Sequence, residues 1–83
     1  MFSISYSKQA LRYLRKMPAD QAKLVRQKIE LYAQDPSALT ENVSKLQERD
    51  GYKLRVGRWR VLFDHQGNVL EILKIRPRGD VYR

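Results

Sequence analysis

From Gly51 to Arg83 the chain reads GYKLRVGRWRVLFDHQGNVLEILKIRPRGDVYR, and its cations fall on alternate positions rather than in a block. Tyr52, Leu54 and Val56 alternate with Lys53 and Arg55. Beyond a short turn at Gly57, Trp59, Val61 and Phe63 alternate with Arg58 and Arg60. A strand repeats every two residues, so each run sends its apolar set to one sheet face and its cations to the other. Two such strands side by side put four cations on one surface, above a core that fixes their positions. A merely soluble surface would mix in acids, and these strands carry none before Asp64. The pattern predicts a sheet with one apolar face and one cationic face.

The rest of the chain supplies the cover for the apolar face. Phe2, Ile4 and Tyr6 alternate with Ser3 and Ser5, which suits a first strand. Ser7 is a plausible N-cap for a short helix from Lys8 to Lys16, with Ala10, Leu11 and Leu14 on its apolar side. Met17-Pro18 ends that helix, because the residue before a proline is biased out of the helical region. Pro18 opens a second helix to about Gln34, whose Ala22, Val25, Ile29, Tyr32 and Ala33 form one stripe. Residues 37–50 read as a polar connector anchored by Val43 and Leu46, and strands follow at about 51–57, 58–64 and 68–76. His65, Gln66, Gly67 and Asn68 supply turn chemistry between the last two. The expected architecture is one α+β domain over residues 1–83, ordered βααβββ. A helical hairpin packs on one face of a mostly antiparallel sheet.

Charge and composition narrow the function. Seventeen Lys and Arg against 9 Asp and Glu give a net charge of +8 over 83 residues. The excess is densest in residues 49–83, which hold 9 bases and 4 acids. So basic a domain is expected to seek a polyanion, with nucleic acid ahead of an acidic protein. There is no cysteine for a disulfide or zinc knuckle, and the single histidine, His65, reads as a solvated turn residue. The acids are scattered and the glycines sit at strand ends, so neither a metal site nor a phosphate cradle is expected. Any chemistry is expected to proceed without metal or cofactor. The N-terminus lacks a signal peptide's pattern and no apolar run is long enough for a membrane span, so a cytoplasmic chain without a membrane partner is expected.

Several short motifs in order resemble the RelE/ParE superfamily of toxins from bacterial toxin–antitoxin modules. They are the hairpin broken at Lys16-Met17-Pro18, the second helix ending in Asp35-Pro36, and the sheet entry Leu46, Tyr52, Lys53, Leu54, Arg55. The strand Trp59-Arg60-Val61-Leu62-Phe63 and the ending Arg78-Gly79-Asp80-Val81-Tyr82-Arg83 complete the set. The resemblance covers essentially the whole chain. Its RelE branch implies a ribosome-dependent mRNA endonuclease acting in the A site, in contact with mRNA and ribosomal RNA. Its ParE branch implies a DNA gyrase inhibitor without nuclease activity. A non-catalytic basic nucleic-acid-binding module is the third reading. Both toxin readings imply a cognate antitoxin, whose extended segment covers the basic face or packs along the helical hairpin.

Lys53, Arg55, Arg60, Arg78 and Tyr82 fall on the positions of the implied catalytic set, with Arg76 an alternative to Arg78. Arg58, Lys74, Arg76 and Arg83 are the further cations expected to contact RNA. Metal-free RNA cleavage turns the 2′-hydroxyl onto the adjacent phosphorus, which calls for a base, cations for the phosphorane and an acid for the leaving 5′-oxygen. Arg60 suits the phosphorane, since a guanidinium binds two phosphate oxygens at once. Lys53, crowded among Arg55 and Arg60, is a candidate base. Arg55, where relatives tend to carry a second lysine, is an electrostatic partner. Tyr82 is a stacking platform or proton-transfer group, and Arg78 a leaving-group donor or phosphate contact.

Overall fold

A computed structural model of the protein describes residues 2–46 and 51–77. Five strands form one sheet in the order β1-β5-β4-β3-β2: β1 (Ser3–Tyr6), β2 (Val43–Lys45), β3 (Tyr52–Val56), β4 (Trp59–Gln66) and β5 (Val69–Pro77). β1 runs parallel to β5 and every other pairing is antiparallel. Helices α1 (Lys8–Lys16) and α2 (Ala19–Gln34) cover one face, α1 against β5 and α2 against β1 and β3. This is the expected α+β hairpin-on-sheet arrangement with one strand more.

Local chemistry explains the helix bounds. The Ser7 hydroxyl accepts the Ala10 N–H at 3.0 Å and donates to the Leu73 carbonyl at 2.6 Å, so one residue caps α1 and ties it to β5. Met17 is extended, and its N–H donates to the Tyr13 carbonyl before Pro18 starts the next helix. Ala10, Leu14, Val25, Ile29, Tyr32 and Ala33 are buried against Leu54, Val61, Phe63, Leu70, Ile72 and Ile75. Phe63 and Ile29 are the largest of the side chains that are fully sealed from solvent.

The connector departs from expectation. It contains a single 3-10 turn, Pro36–Leu39, with Leu39 in the core, and then β2 at the sheet edge. Three residues with one apolar member are too few to show a period, so β2 is invisible to pattern reading. Only Val43, directly opposite Leu54, marks which face is buried.

The β4–β5 hairpin is also tighter than the sequence suggests. Gln66 pairs with Val69, leaving Gly67 and Asn68 as the whole loop. His65 and Gln66 therefore belong to β4. Gly67 sits at the first loop position with φ +60°, the site at which a two-residue hairpin turn of this kind takes glycine. Nothing lies within 4 Å of a Cβ added there. At Gly51 (φ +124°) an added Cβ would sit 3.1 Å from the Phe63 carbonyl oxygen and 3.3 Å from Leu46 Cδ1. Gly67→Ala is expected to cost about 1 kcal/mol of backbone strain alone. Gly51→Ala adds a steric clash and is expected to cost at least about twice as much. Urea midpoints of the two variants measured side by side check the ranking.

The pairing of β4 with β5 slips between Leu62 and Phe63: Leu62 faces Lys74, Phe63 faces Ile72, and Leu73 has no opposite residue. This bulge shifts the parity of β5 by one. Leu70 and Ile72 enter the core before it and Ile75 after it, while Lys74 and Arg76 turn to the other face. Without the bulge those two cations would point into the core.

Candidate functional site

The helix-free face carries the cations in rows fixed by register. Arg55 on β3 lies opposite Arg60 on β4, and Arg60 lies opposite Arg76 on β5. In the next row Lys53 and Lys74 flank Leu62, and Ser44 lies opposite Lys53. Side chains directly opposite stand about 4.5–5.5 Å apart at Cβ, and like charges placed so are destabilising. Leu62 is buried yet stands outside the main core cluster, as a residue on this second face must. Asp64 and Glu71 face one another one row further on. The Asp64 carboxylate accepts the His65 N–H and the Gln66 side-chain amide, at 2.8 and 3.1 Å. Along β4 and β5 the acids and cations of this face are thus segregated.

Arg60 is the buried charged residue among the described residues, only 6% exposed. Its Nη1 donates to the carbonyls of Gly57 at 3.4 Å and Trp59 at 3.3 Å, both long bonds. Among the described residues no carboxylate pairs with it. Beside it opens a cleft of about 260 Å³, with Lys53, Arg55 and Arg60 on one side and residues 41–44 on the other. The expected cations Lys53, Arg55 and Arg60 therefore line one concavity, and Lys74 and Arg76 continue the same rows. Arg58 stands apart: it is exposed in the β3–β4 turn, with its guanidinium carbon 5.7 Å from the Trp59 ring centre. Trp59 belongs to the helix side, where its indole N–H donates to Gln21 Oε1 at 2.8 Å. Arg78, Tyr82 and Arg83 lie outside the described residues.

Pattern reading left out the other wall of the cleft. Glu41, Asn42 and Ser44 line it from the end of the connector, where no periodicity or motif marks them. It also left out Gln9. Beyond the last β1 partner, no strand among the described residues lies on the β1-side edge of β5, and the Gln9 side chain takes that place. Its Oε1 accepts the Ile75 N–H at 3.0 Å and its Nε2 donates to the Ile75 carbonyl at 3.3 Å. An amide side chain can satisfy both backbone groups at once, as a strand would. Gln9 thereby holds the part of β5 that presents Lys74 and Arg76. Gln9→Leu is expected to cost about 1–2 kcal/mol and to speed hydrogen exchange at the Ile75 amide, whereas Gln9→Glu keeps the acceptor and much of the protection.

His65 is not a solvated turn residue. It is half-buried in β4, shares a 3.1 Å hydrogen bond with the Tyr32 hydroxyl, and has ring centres at 4.8 Å from Phe2 and 5.2 Å from Tyr52. Burial pushes the Tyr32 phenol up, helped by the nearby Tyr52. Burial likewise raises Tyr6, against the pull of Arg26. Both phenols are thus held in their neutral form. Among the described residues no group of His, Cys, Asp or Glu is placed to hold a metal ion, and no helix is long and apolar enough to cross a membrane.

The family model for the ParE toxin of the type II toxin–antitoxin system parDE matches residues 4–82. The chain belongs to this toxin family. Solved structures agree on the fold of the toxin. The archaeal RelE–RelB complex from Pyrococcus horikoshii is similar with a TM-score of 0.78 and 25% identity, over 95% of the toxin and 97% of that chain. The RelB–RelE complex from Methanococcus jannaschii follows at 0.75 and 19%, over 94% of each chain. The isolated Escherichia coli RelE toxin stands at 0.76 and 19%, over 99% of the toxin and 92% of that chain. No curated protein sequence matches the toxin. The protein is a toxin of a type II toxin–antitoxin system of the RelE/ParE family.

Proposed function

We propose that the toxin is an mRNA endonuclease that works on translating ribosomes, using the RNA's own 2′-hydroxyl as nucleophile. The observation that carries this reading is the row Arg55, Arg60, Arg76 across three adjacent strands, at the edge of a cleft. Three guanidiniums side by side cost stability, and an arriving phosphodiester repays that cost as the phosphorane gains charge. Arg60, nearly sealed from solvent, binds the equatorial oxygens. Arg55 and Arg76 hold the flanking charge, with Lys74 and Arg58 as outlying RNA contacts. Lys53 and Glu41 are the cleft residues able to take the 2′-hydroxyl proton. Arg78 is proposed as a leaving-group donor or phosphate contact, Tyr82 as a stacking platform for a base or a proton-transfer group, and Arg83 as an RNA contact. No metal or cofactor enters the scheme. The ribosome orders the substrate, so free RNA should be cut slowly or not at all.

As the 2′-oxygen bonds to phosphorus the 5′-oxygen leaves with a proton, so the upstream fragment ends in a 2′,3′-cyclic phosphate and the downstream one in a 5′-hydroxyl. The test is end-group analysis of fragments from a translated reporter mRNA. Fragments with 5′-phosphates would contradict the chemistry. The second reading, a gyrase inhibitor, is favoured by one observation: the matching family model is that of the ParE toxin. A supercoiling assay with the purified toxin separates the two, and no inhibition is expected.

The two toxin readings share a partner. The RelE relatives from Pyrococcus horikoshii and Methanococcus jannaschii are crystallised as complexes with RelB, and a cognate antitoxin is proposed here too. Leu11, Leu24 and Leu31 stand exposed on the helices and offer apolar anchors for it, while the cationic rows offer it charge.

A further inference from the structure

The cleft does not account for the charge on the other side of the molecule. In α1, KQALRYLRK, Lys8, Arg12, Arg15 and Lys16 are all exposed and the helix contains no acid. At 100° per residue the four lie on one stripe, opposite the buried Ala10 and Leu14, and span about 12 Å of helix axis. Pairs at i, i+4 and i, i+3 repel one another and weaken the helix by a few tenths of a kcal/mol each. The C-terminal dipole favours Arg15 and Lys16, but it gives no reason for Arg12 and argues against Lys8 in the first turn. Among the described residues none of the four has an acidic partner. α2 is the internal control: its exposed side mixes Asp20 and Glu30 with Lys23 and Arg26. An ordinary solvated surface of this protein is therefore mixed, and α1 is not.

We infer that the α1 stripe is a docking surface for the phosphate backbone of a structured RNA, separate from the cleft and on the opposite side of the sheet. α1 packs on the helix-covered face of β5, whereas the cleft opens on the helix-free face of β3 and β4. A toxin with cations on both faces can hold RNA at α1 while a second RNA strand enters the cleft. On α1 itself Leu11 is the one exposed large hydrophobic residue, and a protein partner normally binds through apolar anchors, whereas a phosphate backbone asks only for spaced cations. The surface deepens the proposed function, and rests on it for the assignment to RNA.

The experiment measures binding of a short labelled RNA duplex across a series of salt concentrations. It compares wild type with two variants of equal net charge, Arg12→Gln/Arg15→Gln and Lys23→Gln/Lys28→Gln. Each phosphate neutralised contributes about 0.9 to the slope of log K against log salt for duplex DNA. The α1 variant is expected to lose about 2 from that slope and about tenfold in affinity at low salt, while the α2 variant stays close to wild type. Equal losses in both variants would reduce the stripe to net charge and overturn the inference. An unchanged slope in the α1 variant, with weaker capture of the antitoxin, would hand the surface to a protein partner and also overturn it. A wild-type toxin that shows the α1-dependent slope but cuts no mRNA would sink the nuclease reading and leave this surface standing.

Discussion

Arg60→Met is expected to lower mRNA cleavage by about two to three orders of magnitude while making the fold more stable, not less. The activity loss follows from removing a fixed cationic donor from the developing phosphorane. The stability gain follows from what surrounds Arg60. It is nearly sealed from solvent, its hydrogen bonds to Gly57 and Trp59 are long, and Arg55 and Arg76 stand opposite it on both neighbouring strands. A neutral side chain of similar length removes two repulsions and one desolvated charge, a gain of about 1 kcal/mol. Arg60→Lys keeps the charge and loses the fork, and is expected to lie between the two in activity. Cleavage rates and thermal midpoints measured on the same preparations check both halves. A variant that is both inactive and destabilised would mean that Arg60 is structural.

Phe63→Ala is expected to cost about 3–5 kcal/mol. A domain of 83 residues has about 4–12 kcal/mol in all, so this variant gives up at least about a quarter of it and should melt well below the wild type. Phe63 is 1% exposed, with ring centres 5.0 Å from Tyr32 and 5.6 Å from Tyr52. Its carbonyl also closes over Gly51. The same ring supports the strand that carries Arg60, so the core holds the cations as well as the fold. Phe63→Leu should retain a cooperative transition with a lower midpoint, which far-UV circular dichroism on heating would show.

What could be read in advance depended on how local each signal was. The parity of Tyr52–Val56 and Trp59–Phe63 is written into consecutive residues, so the apolar and cationic faces of β3 and β4 were legible, and Lys53, Arg55 and Arg60 with them. The helix ends were legible because Ser7, Pro18 and Asp35-Pro36 act within a turn or two. β5 was not: apolar residues at 70, 72, 73 and 75 satisfy no single parity, and the bulge at Leu73 is set by the partner strand. Hence Arg76 could not be put in line with Arg55 and Arg60 from its own neighbours. Gln9 and Glu41 act across long sequence separations, where single residues carry no pattern. His65 lies in β4 and not in the turn, because Gly67-Asn68 alone make the turn.

The activity proposed for the cationic rows is mRNA cleavage in the ribosome. Primer extension on a reporter mRNA in a purified translation system tests it most directly, with the toxin, with Arg60→Met, and with ribosomes omitted. Cuts are expected with the wild-type toxin that vanish both in the variant and without ribosomes. Intact mRNA under translating ribosomes with wild-type toxin present would contradict it.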